Sequence, residues 1–209
     1  MIRIIIVDDH AVVRKGLKQI IEEAPDLDVC DEASSGIELL EKISTTKYDV
    51  VLLDISMPGK DGLDTLKDIK IKAPNLPVLI FTVYPEEQYA MRVLKSGAAG
   101  YINKECEPEE LIKAIRTVSQ GRKYVSPELA QILASNIDGT STQLDHESLS
   151  DREFQVMIMI SSGKTVKDIA DELNLSVNTI STYRIRILEK MKLKNNAELT
   201  RYAIKNGLV

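Results

Sequence analysis

The sequence is poor in cysteine and has no long apolar run. Cys30 and Cys106 are the only cysteines among 209 residues. They are too few for a disulfide framework or a cysteine-based zinc site, so we expect free thiols. No apolar stretch approaches the roughly 20 residues that a membrane-spanning helix needs. The first apolar run ends in Asp8-Asp9 and lacks the small-residue cleavage site of a signal peptide. These absences favour a cytoplasmic protein with no membrane partner.

Composition and charge indicate two different halves. The chain is 44% hydrophobic and 28% charged, which is typical of soluble globular proteins, and its length allows two domains. Residues 148–209 carry ten Lys/Arg and seven Asp/Glu, leaving 17 basic and 25 acidic residues for the rest of the chain. A mildly basic C-terminal part is typical of a nucleic-acid binder joined to an acidic regulator, although many soluble folds also differ in charge between halves.

The first 121 residues alternate short apolar runs with helical spacing of apolar residues. Helical spacing occurs around residues 13–21, 63–69 and 111–118. Strands separated by helices predict right-handed crossovers and a doubly wound α/β domain with a five-stranded parallel sheet, whose ligands sit at the carboxyl ends of the strands. The strand segments are Ile4–Val7, a further one near Val29, Val50–Leu53, Val78–Phe81 and Ala98–Ile102.

The pattern changes after Gly121. Residues 122–147 allow one short helix, over 127–135, and then become polar through Gln143. This composition predicts a linker. Strand patterns are absent from Leu149 on, and Ser150 with Glu153 predicts a helix-capping box. Helices over 151–161, 165–173, 177–192 and 196–206 then make residues 148–209 a small all-α, four-helix domain.

Carboxylates follow two of the predicted strands. Asp8 and Asp9 come after the first strand and Asp54 after the Val50 strand, so they can converge on one edge of the sheet. Grouped carboxylates repel one another, and a hard divalent cation such as Mg²⁺ offsets this cost. Thr82 ends the next strand and Lys104 follows the last, where they can hold the oxygens of a phosphoryl group on Asp54. An aspartate after a strand is also a common turn or cap residue.

These residues lie in segments that resemble the receiver domain of bacterial response regulators, over residues 1 to about 121. The resemblance implies a flavodoxin-like fold in which Asp54 is the phosphoacceptor. It also implies a Mg²⁺ (or Mn²⁺) ion held by Asp8, Asp9, Asp54 and the backbone carbonyl of Ser56. The matching segments are Val7-Asp8-Asp9-His10, Leu53-Asp54-Ile55-Ser56-Met57-Pro58-Gly59-Lys60-Asp61-Gly62, Thr82 and Gly100-Tyr101-Ile102-Asn103-Lys104.

The same resemblance implies roles for the remaining residues of the pocket and a partner. Lys104 pairs with the phosphoryl group, and Thr82 and Tyr101 form the switch that senses it. A half-buried packing role for Tyr101 is compatible with that switch. The implied phosphate source is a sensor histidine kinase. The receiver then catalyses only its own phosphorylation and dephosphorylation, so we do not expect an enzyme acting on an external metabolite.

The C-terminal helices suggest a helix-turn-helix. In the predicted third helix, apolar residues cluster on an inner face: Val177, Ile180, Ile187, Leu188 and Met191. The opposite face is mostly polar and suits a DNA major groove, although a solvated amphipathic helix has the same pattern. Its members are Asn178, Ser181, Thr182, Ile185, Arg186 and Glu189. Arg184 lies at the edge of the inner face, from which it can reach a phosphate.

Three segments of this region resemble the LuxR/NarL-type DNA-binding domain: Leu149–Glu153, Gly163–Ala170 and Val177–Lys194. In that family the third helix reads DNA and the fourth helps dimerisation. We expect base contacts from Ser181, Thr182, Ile185 and Arg186, and mostly phosphate contacts from Lys164, Thr165, Lys167, Asn178, Thr179, Tyr183, Arg184 and Lys194. Many members have Lys at position 181 and His at position 183, so their base preference does not transfer to this chain.

The function that these patterns favour is a phosphorylation-controlled transcription regulator. It would bind double-stranded DNA as a homodimer and work with RNA polymerase. One alternative is a phosphoryl-relay or protein-binding switch whose helical domain binds no DNA; the basic helical domain and its polar face argue against it. Another is a haloacid-dehalogenase-like phosphatase. Such enzymes usually carry an Asp two residues after the nucleophile, where this chain has Ser56.

Overall fold

The computed structural model describes residues 1–57, 62–127, 129–131 and 145–209. Residues 58–61 of the motif after Asp54 lie outside the described residues, as do 132–144 of the predicted linker. Of the predicted short helix over 127–135, residues 127 and 129–131 are described, and they are helical. Contacts divide the chain into two compact units, Met1–Leu133 and Ala134–Val209.

The first unit contains a five-stranded parallel sheet with the strand order β2-β1-β3-β4-β5. This order confirms the predicted doubly wound fold, because β1 lies inside the sheet and the chain winds outward from it in both directions. The strands are β1 (Ile2–Val7), β2 (Leu27–Ala33), β3 (Val50–Leu53), β4 (Val78–Thr82) and β5 (Gly100–Asn103). The helices are α1 (Ala11–Glu22), α2 (Gly36–Thr45), α3 (Gly62–Lys72), α4 (Glu86–Lys95) and α5 (Pro108–Ser119).

Burial explains why the strands read as continuous apolar runs. Every residue of β3 and β4 is buried, as expected for parallel strands with helices on both faces. Strand β5 begins at Gly100, two residues later than predicted, because Ala98 and Ala99 close the loop after Gly97, which has a φ of 99°. Apolar spacing did not single out α2 and α4. In α4 only Tyr89, Ala90 and Val93 are buried, which leaves a narrow apolar stripe.

The second unit is helical, as predicted, with a 3₁₀ turn at Asp145–Ser148 before four helices. The predicted capping box of Ser150 and Glu153 is confirmed. A second box joins Thr165 and Asp168, which makes Thr165 the cap of its helix and not the first helical residue. The helices are α6 (Asp151–Ser161), α7 (Val166–Glu172), α8 (Val177–Lys190) and α9 (Asn196–Lys205).

The core of the second unit forms where α6 packs against α8 and α9. Ile180, Ile187 and Met191 are buried as predicted, and Leu188 is half-buried. The prediction for Val177 was wrong, since 49% of its surface is exposed. Helical side chains lean toward the N-terminus, so in the first turn of α8 this side chain projects past the end of the helix. No helix within the described ranges combines the length and apolar character needed to cross a bilayer.

Candidate functional site

Strand order brings two of the predicted acidic residues together. Strands β1 and β3 are neighbours, and Val7 is in register with Leu53. Asp8 and Asp54 therefore leave adjacent strands at the same edge of the sheet. The Asp54 backbone N–H donates to the Val7 carbonyl at 2.9 Å, which continues the ladder to this position. Both side chains are buried, with 1% of Asp8 and 3% of Asp54 exposed, so their charges need a partner nearby.

Lys104 supplies a positive charge that partly compensates the two carboxylates. Its Nζ donates to Asp8 Oδ2 at 2.5 Å and to Asp54 Oδ2 at 2.7 Å. Burial acts to lower the pKa of this ammonium, but the negative charges of Asp54 and Asp8 and their hydrogen bonds outweigh burial and hold the pKa above its ordinary value. One ammonium faces two buried carboxylates, and a net negative charge remains. The site therefore offers carboxylate oxygens that suit a further hard cation.

Asp9 extends the acidic cluster toward solvent and is half-buried. Ligand atoms of Asp8, Asp9 and His10 all lie within 4.8 Å of one another. The His10 N–H donates to Asp8 Oδ1 at 2.7 Å, and the Ser56 N–H donates to Asp54 Oδ1 at 2.9 Å. Carboxylate oxygens dominate the donor set, and hard oxygen donors fit Mg²⁺ or Mn²⁺ better than soft metals. Receiver domains are generally Mg²⁺-dependent.

The two predicted switch residues are both fully buried. Within the described part of the chain, Thr82 Oγ1 has no hydrogen-bond partner. The Tyr101 hydroxyl donates to the Tyr84 carbonyl at 2.8 Å, which ties β5 to the loop between β4 and α4. Burial, with the negative charge of Glu86 nearby, raises the pKa of the Tyr101 phenol far above its ordinary value. Tyr101 is thus a neutral hydrogen-bond donor.

Two further residues, to which the sequence patterns assigned no role, contact the backbone of the pocket. Gly62 begins α3 against the backbone of Asp54, where a Cβ atom would lie 2.3 Å from the Asp54 carbonyl oxygen. Only glycine fits there, and its place in the motif after Asp54 was the available signal. Arg14 donates from Nη1 to the Asp8 carbonyl at 2.7 Å and from Nε to Glu32 at 3.1 Å. No spacing rule points to Arg14, because the contact depends on how α1 packs.

In the helical unit, the outer face of α8 is accessible. Thr182, Ile185 and Arg186 are exposed, and Ser181 is half-buried. A cavity of about 350 Å³ is lined by Asn178, Thr179, Thr182, Tyr183 and Arg186. Most of the predicted base- and phosphate-contacting side chains of α8 therefore border one shallow concave surface.

Several residues predicted to contact phosphates also have intramolecular partners. Arg184 is half-buried, and its Nε donates to Asn196 Oδ1 at 2.7 Å, joining α8 to the first turn of α9. Lys164 pairs with Glu172 at 2.5 Å, and Thr165 caps α7. Lys167 and Lys194 are exposed. The cations predicted to contact phosphates thus include Arg184 and Lys164, which have partners within the domain, and the exposed Lys167 and Lys194.

Comparison with known families matches both units. Residues 4–116 match the response regulator receiver domain. The chain is a response regulator. Residues 147–203 match the luxR family of bacterial regulatory proteins, so this response regulator joins a receiver domain to a LuxR-type DNA-binding domain. The receiver implies a histidine kinase as a partner.

Relatives resemble the response regulator over its whole length. UvrY of Escherichia coli (strain K12) is 39% identical over 209 residues, covering 100% of this chain and 96% of UvrY. GacA of Pseudomonas protegens is 39% identical, with coverage of 100% and 98%. A structure of RcsB from Salmonella enterica serovar Typhimurium, bound to promoter rprA in the presence of the phosphomimetic BeF₃⁻, has a TM-score of 0.66 at 27% identity, with coverage of 96% and 97%.

Proposed function

We propose that this response regulator is phosphorylated on Asp54 by a sensor histidine kinase and that phosphorylation controls how its helical domain binds promoter DNA. The observation that carries this proposal is the contact of Lys104 with both Asp8 and Asp54. It puts a nucleophilic carboxylate, an acidic neighbour and a cation at one buried point. Phosphoryl transfer needs mainly such positioning and charge compensation.

The residues of the pocket divide the work of phosphoryl transfer. Asp54 attacks phosphorus through one carboxylate oxygen, the bond from phosphorus to its donor breaks, and the donor leaves with the electron pair of that bond. Lys104 exchanges its contact with Asp54 for a phosphoryl oxygen. Asp8, Asp9, Asp54 and the Ser56 carbonyl would hold Mg²⁺, which offsets the charge that builds up on the phosphoryl oxygens. Hydrolysis of the acyl phosphate reverses the modification, and no external metabolite is consumed.

The switch depends on the hydroxyl of Thr82, which has no hydrogen-bond partner among the residues that the structure describes. A phosphoryl oxygen on Asp54 offers this hydroxyl a partner, and Thr82 moves toward it. The space that Thr82 leaves becomes available to Tyr101, whose bond to the Tyr84 carbonyl is remade. A local change in charge thereby biases a two-state packing arrangement.

DNA binding by α8 is the output of this switch. We propose that phosphorylation favours a homodimer that reads two half-sites about one helical turn apart in the major groove, and that the bound dimer acts on RNA polymerase. The RcsB structure with promoter DNA and a phosphomimetic supports this assignment by analogy. Ser181, Thr182, Ile185 and Arg186 would contact bases, and the surrounding cations and hydroxyls would contact phosphates.

Incubation with acetyl phosphate and Mg²⁺ tests the proposal. The wild-type chain should gain one phosphoryl group by intact mass, and Asp54→Asn should gain none. Asp64→Asn is a matched control, because Asp64 lies in the first turn of α3, outside the pocket, and should leave labelling intact. A gel shift on genomic promoter fragments then compares phosphorylated and unphosphorylated protein. Equal labelling of wild type and Asp54→Asn would contradict the phosphoacceptor assignment.

A further inference from the structure

The segment that follows α5 is anchored on the receiver sheet. This strap comprises residues 122–127 and 129–131. Tyr124 forms a parallel bridge with Gly100 at the start of β5, and its N–H donates to the Ala99 carbonyl at 2.9 Å. A Cβ atom on Gly100 would lie 2.9 Å from Tyr124 Cβ. The absence of a side chain at Gly100 is therefore what allows the strap to lie against the edge of the sheet.

Side chains fix the strap to two different helices. The Tyr124 hydroxyl donates to Glu110 Oε1 of α5 at 2.8 Å. The Ser126 hydroxyl donates to Glu86 Oε2 of α4 at 2.5 Å, and Ser126 Oγ accepts from the Leu129 N–H at 3.0 Å. Ser126 and Leu129 are buried, at 5% and 0% exposed. Ser126 is thus a junction between α4 and the helical turn that leads toward the second unit.

The strap contacts two places next to Tyr101 and its hydrogen-bond acceptor: Gly100 on β5 and Glu86 at the start of α4. Tyr101 directly follows Gly100, on which Tyr124 rests. The Tyr101 hydroxyl holds the Tyr84 carbonyl, and Glu86, the acceptor of Ser126, lies two residues beyond Tyr84 at the first position of α4. Because only Pro85 separates Tyr84 from Glu86, we expect a displacement of Tyr84 to shift Glu86 as well. The Ser126 side chain connects the strap to that first residue of α4.

We propose that Ser126 is a positioning residue that transmits the state of the loop between β4 and α4 to the strap, and through it to the DNA-binding domain. When Tyr101 gives up the Tyr84 carbonyl, the start of α4 shifts and the bond between Ser126 and Glu86 breaks. The Leu129 amide then loses its ordered acceptor, and the helical turn at 129–131 loosens while Tyr124 stays in place. This inference rests on the proposed phosphorylation of Asp54.

Hydrogen exchange on the full chain measures this release. Exchange is followed by mass spectrometry with and without acetyl phosphate and Mg²⁺, which also reports the phosphoryl group. Phosphorylation of wild type should speed exchange at 129–131 by about fivefold, the factor that losing a hydrogen bond of about 1 kcal/mol gives. Exchange at Tyr124 should change little, because its backbone bond to Ala99 remains.

Two variants, each of which lacks one side-chain anchor of the strap, test whether Ser126 carries the response to phosphorylation. Ser126→Ala should exchange rapidly at 129–131 in both states, so the response to phosphorylation disappears there while that of the loop at 83–86 persists. Tyr124→Phe removes the anchor to Glu110 and should keep the response at 129–131. Glu86→Gln retains an acceptor and should keep a weakened response, which guards against misfolding of Ser126→Ala.

The outcomes separate the two proposals. A phosphorylated wild-type chain whose loop at 83–86 responds while 129–131 does not would overturn the role of Ser126 alone. A response at 129–131 that survives in Ser126→Ala would also overturn it. Absence of a phosphoryl group on Asp54 would overturn the proposed function and this inference together.

Discussion

The Lys104 ammonium lies 2.7 Å from the Asp54 carboxylate, although the two residues are 50 positions apart in the sequence. It also contacts Asp8 at 2.5 Å. This half-buried cation, shared by two carboxylates, stabilises the pocket, and in our proposal Lys104 follows the negative charge when it moves onto a phosphoryl group.

Removal of this cation should destabilise the receiver. Lys104→Met leaves two buried carboxylates uncompensated, and breaking a buried pair in this way costs about 3–5 kcal/mol. Urea unfolding with and without Mg²⁺ measures the loss, and Mg²⁺ should restore more stability to the variant than to wild type. Lys113→Met on the exposed side of α5 is the control. An equal effect of Mg²⁺ on wild type and Lys104→Met would show that Lys104 and the metal ion do not share the same carboxylates.

Valine at position 82 should stabilise the unphosphorylated protein more than the native threonine does. Its buried hydroxyl lacks a partner within the described residues, and such a group costs about 1–3 kcal/mol. Thr82→Val should therefore raise the free energy of unfolding and still accept a phosphoryl group, but lose most of the gain in DNA affinity. Thr82→Ser keeps the hydroxyl and should keep that gain. A full phosphorylation response in Thr82→Val would rule out the hydroxyl as the sensor.

The phenols of Tyr101 and Tyr124 should resist ionisation in the folded chain. Burial, with the negative charge of Glu86 near Tyr101 and the hydrogen bond from Tyr124 to Glu110, raises the pKa of both. Below the ordinary pKa of about 10, both phenols are protonated in the folded and unfolded chains, and their contribution to stability is fully present. Above it the unfolded chain loses these protons first, so stability falls as the pH rises.

Ultraviolet titration checks the tyrosine prediction. A chain carrying both Tyr101→Phe and Tyr124→Phe should show the same phenolate absorbance as wild type in the folded state. In denaturant its amplitude should be smaller, because wild type ionises all seven of its tyrosines there and the double variant lacks two of them. A native amplitude that falls in the double variant would mean that at least one of these phenols ionises in the folded state.

Alanine substitutions at Arg184 and Arg186, two positions apart on α8, should have different effects on stability and on DNA binding. Arg184 binds Asn196 at 2.7 Å, and a hydrogen bond to a charged group contributes about 1.5–3 kcal/mol. Arg184→Ala should therefore lower the stability of the helical domain and weaken binding to all DNA sequences. Arg186 is exposed beside the α8 cavity, so Arg186→Ala should leave stability unchanged and relax base preference by about 1–3 kcal/mol at one position.

Binding of these variants to matched and mismatched sites across a salt series distinguishes their roles. Lys167→Ala is the reference for a phosphate contact and should lower the salt slope by about one without changing base preference. If Arg186→Ala weakens every site equally while Lys167→Ala changes preference, α8 is rotated in the groove relative to our assignment.

The sequence alone determined the local structure and the chemistry. Parallel strands buried on both faces produce apolar runs such as Val50–Leu53, and Ser150 with Glu153 marks a helix start because the two side chains satisfy each other's backbone amides. The positions of Asp8, Asp54 and Lys104 directly after strands of one parallel sheet were enough to predict that these three side chains meet. These features depend on short-range spacing, which a single chain displays directly.

Tertiary structure decided the features that depend on packing. Val177 fits an apolar periodicity yet is 49% exposed, because its side chain leans toward the N-terminus and past the end of α8. Arg184 lies near the recognition face but is bound by Asn196 from the next helix. Gly62 and Gly100 are required because backbone or another side chain occupies the space of their missing Cβ atoms. The sequence predicted a linker where the structure has the strap. The polar contacts of the strap with Glu86 and Glu110 join residues far apart in the chain. No local pattern records which distant partners a folded chain brings together.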